Sequence, residues 1–197
     1  MTVLRVPIFP LNTVLFPGGL LPLRVFEARY MDMSRDCLRH DRPFGVCLIR
    51  EGKEVGAPAT PEPVGCLARI TDWDMHQLGL LHLTTLGGRR FRILSSEASA
   101  QGLVSADVEL LPPEEAVALP ARFAPCARLL ELVVADQEQP VFAEPYRFDD
   151  AAWVSYRVSE VLPLPPATKQ GLLELPDSLS RLEVLLRFIQ QRGVVAG

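Results

Sequence analysis

The sequence predicts an α+β protein in which a small β-barrel with one helix, residues 1–115, is followed by a helical bundle, residues 116–197. Three observations lead to this fold class. Short apolar runs separated by glycine and proline fill the first part, which is typical of a small barrel. One segment within that part has helical spacing instead. After Pro112-Pro113 the apolar residues change to steps of three and four, which is typical of helices.

The segment Glu27 to His40 predicts the helix of the first part. Its apolar residues follow one another at steps of four, three and four, which places them on one helix face: Phe26, Tyr30, Met33 and Cys37. Arg42-Pro-Phe-Gly then ends the helix, because proline disfavours helical geometry in the residue before it.

Apolar runs predict the strands that follow this helix: Phe44–Ile49, Val64–Asp74, Leu78–Thr85, Arg89–Ser95 and Leu103–Leu111. The last alternates apolar and polar residues, as a strand with one buried face does. Two glycine-containing segments, Glu51 to Pro58 and Leu86 to Arg89, predict turns between strands.

Three helices are predicted in the second part: Ala121–Ala135, Ala151–Leu162 and Ser178–Gln191. Pro163-Leu-Pro-Pro predicts a rigid corner between helices. The final helix has capping-box spacing between Ser180 and Glu183, and Gly193 follows it as a stop signal. Its predicted apolar stripe consists of Leu179, Leu182, Leu186 and Ile189.

Composition restricts the classes of partner and compartment. A net charge of −4 disfavours a general nucleic-acid or anionic-membrane partner. Prolines interrupt the N-terminal segment and no apolar run is long enough to span a bilayer, so we expect neither a signal peptide nor a membrane helix. The four cysteines are far apart and predict free core thiols in a cytoplasmic protein, with no metal site.

A set of motifs resembles the N-terminal, substrate-binding domain of Lon protease. They begin with Pro7-Ile-Phe-Pro-Leu, Val14-Leu-Phe-Pro-Gly-Gly and Leu21-Pro-Leu-Arg-Val-Phe-Glu-Ala-Arg-Tyr, and continue in order with Pro43-Phe-Gly-Val, Val64-Gly-Cys-Leu and Gly87-Gly-Arg-Arg-Phe-Arg-Ile. The resemblance implies a PUA-like β-barrel (pseudobarrel) with one helix, a C-terminal helical bundle, and a stand-alone relative that binds polypeptides.

Neither of the two Lon activities is expected in this chain. It has no GxxxxGK[ST] loop, so we predict no ATPase activity and no nucleotide cofactor. A Ser-Lys peptidase needs a lysine whose charge is suppressed by burial. The chain has only Lys53 and Lys169, both in polar segments that predict solvated side chains. We therefore predict a protein that is not an enzyme and uses no cofactor.

Trp73, Phe91 and Tyr30 are the candidate substrate-binding residues. For Trp73, packing on the barrel is the simpler interpretation, and an exposed anchor for a partner is the alternative. The simplest interpretation of Phe91 is a core residue. For Tyr30 it is a structural role, shared with Glu27 and with Arg29, which is expected to pair within the protein. The run Asp72-Trp-Asp-Met-His76 suggests a hairpin tip in preference to a metal site.

Three functions follow from these observations. The leading hypothesis is a module that binds unfolded or partly folded polypeptides. The alternative is an adaptor or regulator for one defined partner, such as a protease. A third, RNA binding by a PUA-like protein, has the basic run Arg89 to Arg92 in its favour. Strand alternation would place Arg90 and Arg92 on a solvated face, which makes this third hypothesis the weakest.

Overall fold

Residues 3–112 of the first unit form seven strands and one helix. In chain order these are β1 (Val3–Leu11), β2 (Leu20–Val25), α1 (Ala28–His40), β3 (Phe44–Glu51), β4 (Thr60–Pro61), β5 (Val64–Gln77), β6 (Leu80–Ala98) and β7 (Val104–Leu110). The computed structural model describes residues 3–192, so the stop signal expected at Gly193 lies outside the described residues. The chain divides into two compact units, residues 1–112 and 113–197.

One mixed sheet organises the first unit. Its strands are paired in the order β1-β7-β6-β5-β3-β4, and β1 also pairs with β3, so the path of pairing returns to its start. The β1–β3 pair is parallel and the other pairs are antiparallel. β2 lies off this path, because it pairs with the first half of β6. The α+β class is confirmed.

The turn predicted at Leu86 to Arg89 is wrong, because β6 runs through it without a break. Gly87 instead allows the backbone of β6 to come close to the segment that precedes β2. The amide of Gly87 donates to the carbonyl of Gly19 at 2.8 Å, and its carbonyl accepts from Gly18 at 2.7 Å. A Cβ atom at Gly87 would lie 2.1 Å from the carbonyl oxygen of Phe16. Glycine is needed here for space.

Helix α1 is confirmed at the predicted place. Tyr30, Met33 and Cys37 are buried in one apolar cluster with residues of β1, β2, β3, β5 and β6. Phe26 is not part of this stripe, since it precedes the N-cap residue Glu27 and is 57% exposed. A second apolar cluster, which contains Phe91, joins β1, β3, β5, β6 and β7.

Four helices form the described part of the second unit, residues 113–192. They are α2 (Ala124–Ala135), preceded by a 3₁₀ turn over Ala121–Phe123, α3 (Ala151–Val161), α4 (Pro166–Glu174) and α5 (Ser178–Arg192). The three predicted helices are present. α4 was not predicted: it begins at Pro166, and a proline is tolerated in the first turn of a helix because its missing N–H has no partner there.

The start of α5 differs from the predicted capping box. The carboxylate of Asp177 accepts a hydrogen bond from the amide of Ser180 at 2.8 Å, so Asp177 caps the helix and Ser180 lies inside it. This bond lowers the pKa of Asp177. Leu182 and Ile189 of the predicted stripe are buried, but the other buried positions on this helix include Arg181 and Leu185.

The second unit buries two arginine side chains completely. Arg181 has no exposed surface, and its guanidinium makes five hydrogen bonds, one for each N–H group that it carries. Two of them reach the carboxylate of Glu114, and the guanidinium lies 4.0 Å above the ring of Tyr156. Arg157 is 1% exposed and pairs with Glu160 at 2.7 Å.

Aromatic side chains pack beside Arg157. The ring of Trp153 contacts three others at centroid distances of 5.3 to 6.1 Å. They belong to Phe142, Tyr146 and Phe148. The two tryptophans of the chain therefore report on different units, Trp73 on the first and Trp153 on the second.

Candidate functional site

Two adjoining depressions beside β2 form the candidate site, which we call the β2 groove. The first has a volume of about 280 Å³ and lies between β2, the end of β1, the start of α1 and the loop that contains Val55. The second has a volume of about 450 Å³ and extends across β2, β6 and β5 to Trp73. Both depressions are lined by Pro22, Leu23 and Arg24.

Large apolar side chains are exposed along this groove. Phe26 and Val55 line the first depression and are 57% and 54% exposed. Trp73 lines the second and is 56% exposed. Exposed apolar side chains that lie together along a groove indicate a binding surface more strongly than single ones scattered over the protein.

Carboxylates outnumber cations around the groove. Glu54, Asp72 and Asp74 line it, as does Glu27, while Arg24 is the arginine among its lining residues. Glu27 is neutralised by Arg29, whose guanidinium lies 2.9 Å from it. Glu54 accepts a hydrogen bond from the amide of Asn12 at 2.6 Å. The groove therefore favours a cationic ligand over an anionic one.

The three predicted site residues lie at different depths. Trp73 is 56% exposed, so the simpler interpretation of this residue, packing on the barrel, is wrong, and the exposed alternative agrees with the structure. Tyr30 is 3% exposed and stacks on Phe9 at a centroid distance of 4.1 Å, so it forms a buried wall of the first depression. Burial also raises the pKa of Tyr30. Phe91 has no exposed surface and contacts the second apolar cluster, away from the groove.

The pairing predicted for Arg29 is confirmed. Besides its contact with Glu27, its guanidinium donates to the carbonyl of Gly102 at 2.9 Å and lies over the ring of Tyr30. These contacts hold the first turn of α1 in place beside the groove.

Sequence reasoning missed Phe26 and Val55. Phe26 fitted the helical stripe by spacing, and only the position of the N-cap removes it from that stripe. Val55 is the one large apolar residue in a loop of glycine and charged residues, from Glu51 to Gly56. An apolar residue in such a loop was the available signal for an exposed contact.

The residues suggested as a metal or hairpin-tip cluster lie within β5, which continues to Gln77. The tip itself is Leu78-Gly79, where Gly79 has a φ of 84° that glycine adopts without strain. His76 pairs with Asp74 at 2.7 Å. Among residues 3–192, no three His, Cys, Asp or Glu side chains are grouped closely enough to hold a metal ion.

The basic run Arg89 to Arg92 does not form a continuous charged surface. Arg90 is only 6% exposed, which contradicts the solvated face predicted for it. The guanidinium of Arg89 donates to the carbonyl of Leu111 at 2.9 Å. This arrangement removes the principal observation in favour of nucleic-acid binding.

The cysteines and Lys169 differ from exposed side chains of their kind because they are buried or partly buried. The cysteines are buried free thiols, and burial raises the pKa of Cys37 to about 11 and that of Cys126 to about 12. Lys169 is half-buried, so its predicted solvation is wrong, and burial lowers its pKa. Its ammonium group donates to the backbone carbonyl of Glu160 at 2.8 Å.

No helix within residues 3–192 is both long enough and apolar enough to cross a membrane.

Comparison with known proteins identifies the family. A family model described as the ATP-dependent protease La (LON) substrate-binding domain matches residues 5–191. The crystal structure of a Lon N-terminal domain protein from Xanthomonas campestris is 38% identical, covers 93% of this chain and 98% of that one, and superposes with a TM-score of 0.78. The N-terminal domain of a Mycobacterium avium complex Lon protease, at 17% identity and a TM-score of 0.66, covers 94% of this chain and 98% of that one and shares the fold.

Longer proteins are also similar to this chain. The Lon protease of Phenylobacterium zucineum is 25% identical over 193 residues, which are 95% of this chain and 24% of that protein. Protein cereblon of Xenopus tropicalis is 28% identical over 112 residues, which are 55% of this chain and 24% of that protein. The chain thus spans about a quarter of the length of these relatives. With its family model matched from residue 5 to residue 191, the chain belongs to the Lon substrate-binding domain family.

Proposed function

We propose that this chain is a non-catalytic module that binds unfolded or partly folded polypeptides in the β2 groove. The observation that carries the proposal is the exposure of Phe26, Val55 and Trp73 around two adjoining depressions. The family supports it, since its description is that of a substrate-binding domain.

Burial of these side chains against a ligand supplies the affinity. Covering one large apolar side chain contributes roughly 1.5 to 3 kcal/mol. Unfolded chains expose apolar residues in extended form, whereas native proteins bury most of them. The groove therefore selects unfolded segments over native surfaces.

In this proposal the ring of paired strands is a PUA-like barrel and helices α2 to α5 form a helical bundle. We also place the protein in the cytoplasm, where its four free cysteines are compatible with a reducing environment.

An adaptor for one defined partner, such as a protease, is the second candidate. The family supports it, because its description names a domain of an ATP-dependent protease. An adaptor would contact a single native protein in fixed stoichiometry, so native and unfolded ligands distinguish the two candidates.

The test is a titration of the chain with one model protein in its native form and in a reduced, alkylated, unfolded form, followed by fluorescence anisotropy. We expect saturable binding of the unfolded form alone. Trp73→Ala and Phe26→Ala should each weaken it about tenfold or more. Leu94→Ala, at an exposed apolar residue of β6 outside the groove, is the matched control. Absence of binding by the wild-type chain, or equal loss in all three variants, would contradict the proposal.

A further inference from the structure

The outer edge of β2 is open for strand pairing. Within residues 3–192, β2 pairs with β6 on one side and with no strand on the other. An unpaired strand edge presents backbone N–H and C=O groups that an added strand can satisfy.

The register of β2 shows which backbone groups point outward. Pro22 lies opposite Thr84, and it has no N–H to donate. The carbonyl of Thr84 accepts from the hydroxyl of Thr71 on β5 at 3.1 Å, so it points away from β2. Pro22 and Thr84 are therefore a pair without mutual hydrogen bonds, and the backbone groups of Pro22 point outward. Because alternate residues of a strand have the same backbone orientation, the backbone groups of Leu20 and Arg24 also point outward.

Five outward groups result: the N–H groups of Leu20 and Arg24, and the carbonyls of Leu20, Pro22 and Arg24. The groove lies along this edge. Consecutive residues Leu21 to Val25 line its first depression, although neighbouring side chains in a strand point to opposite faces. Side chains on one face of a strand would contribute only every second residue. The consecutive lining therefore indicates that the depression follows the backbone edge of β2.

The two faces beside this edge differ in chemistry. Leu21, Leu23 and Val25 face the apolar cluster of the first unit. On the other face, Arg24 lies in a cross-strand row with His82 and Asp74, and Pro22 lies in a row with Thr84 and Asp72. This face carries two carboxylates, Asp72 and Asp74, and one arginine, Arg24, and Asp74 also contacts His76.

We infer that the β2 groove binds an extended polypeptide segment as an additional strand on β2, and that the segment alternates apolar residues with arginine or lysine. Its apolar side chains enter the first depression while its cations face Asp72 and Asp74. β2 has six residues and spans about 20 Å, so it accommodates about six residues of ligand. This inference rests on the proposed function and adds the binding mode and ligand class.

The probe is a short capped peptide of alternating leucine and arginine with a fluorescent label, titrated against the intact chain. A series of variants carries one N-methyl group at each successive backbone position, which removes one N–H donor without changing the side chains. We expect methylation at alternate positions to weaken binding about threefold to tenfold, and methylation at the positions between them to have no effect. A peptide of alternating leucine and glutamate should bind at least tenfold more weakly.

A matched pair of protein variants tests the same edge. Arg24→Pro removes the outward N–H and the charged side chain, and Arg24→Ala removes the charged side chain but keeps the N–H. We expect Arg24→Pro to bind several-fold more weakly than Arg24→Ala, since an outward N–H takes no part in the β2–β6 ladder. Thermal unfolding of both variants checks that they fold, and the methylated peptides keep the test decisive if Arg24→Pro does not.

The outcomes separate the inference from the proposed function. Binding that is insensitive to every methyl group overturns strand addition and leaves polypeptide binding standing. Failure of both this peptide and unfolded protein to bind overturns both. If light scattering finds a dimer that Arg24→Pro dissociates, and the peptide does not bind, the edge pairs with a second copy and the inference is wrong.

Discussion

The two units of this protein differ in how completely they bury charged side chains: Arg29 and Arg90 of the first unit remain 8% and 6% exposed, whereas the second unit buries two arginines fully. In the first unit the two core clusters are apolar, and the groove residues that carry the proposed function are on the surface. In the second unit the two largest fully buried side chains are Arg157 and Arg181. From this difference we expect substitutions of the groove residues to change binding affinity, and substitutions of the buried arginines to change the free energy of unfolding.

The largest effect is expected from Arg181→Ala. Removing the guanidinium leaves the carboxylate of Glu114, which is 7% exposed, without its cation. Loss of one partner of a buried pair costs about 3 to 5 kcal/mol of unfolding free energy. Urea unfolding followed by Trp153 fluorescence in a Trp73→Phe background measures it.

Arg187→Ala is the matched control for that substitution, because Arg187 is an exposed arginine of the same helix, α5. It should change the unfolding free energy by less than about 0.5 kcal/mol. The double variant Arg181→Met, Glu114→Gln should be less damaged than Arg181→Ala, since neither charge is left alone. Equal stability of Arg181→Ala and Arg187→Ala would show that the second unit does not depend on its buried charge.

A smaller but still large effect is expected at Gly87 in the first unit. Gly87→Ala places a methyl group against the carbonyl oxygen of Phe16, and the backbone must move. We expect a loss of about 3 kcal/mol, as in strong overpacking. Gly88→Ala is the control, since its new Cβ atom would lie 3.5 Å from its nearest neighbour, at ordinary contact distance. Trp73 fluorescence in a Trp153→Phe background reports it, and equal losses for the two variants would refute the close-approach explanation.

The smallest of the three effects concerns pH. Burial raises the pKa of Glu160 from 4.5 to about 7, against the opposing effects of Arg157 and Lys169. Because the folded protein holds this proton more tightly than the unfolded chain does, the stability from it is complete below about pH 4.5 and is lost as pH rises to about 7. We expect the wild type to lose about 1 to 2 kcal/mol between pH 5 and pH 8 relative to Glu160→Gln.

Glu131→Gln, at an exposed carboxylate of α2, provides the comparison for that measurement. It should follow the pH dependence of the wild type. If Glu160→Gln also follows it, the carboxyl of Glu160 is not the group that titrates.

Local patterns were sufficient to predict much of the fold. Helices α1, α2, α3 and α5 and the later strands follow from spacing and turn residues, which are properties of neighbouring positions. Features that depend on distant residues were not predictable in this way. The partner of Arg181 is 67 positions away, and the reason for Gly87 is a carbonyl at Phe16.

The candidate site shows the same limit. Trp73 could be named from the sequence because tryptophan is conspicuous. Phe26 and Val55 become binding candidates only when β2, α1 and the loop at Val55 are brought together. The open edge of β2 is invisible in the sequence, since Pro22 identifies an edge strand only after its partner strand is known.

The pairing of β1 has a consequence for synthesis on the ribosome. β1 is translated before both of its partner strands, β3 and β7, which begin at residues 44 and 104. This apolar segment therefore has no partner strand until β3 has been translated, and its β7 partner follows only near the end of the first unit. Pro7 and Pro10 lie within it, and proline opposes the cross-β stacking through which exposed apolar strands aggregate. The two prolines therefore lower the tendency of this segment to aggregate before its partner strands are available.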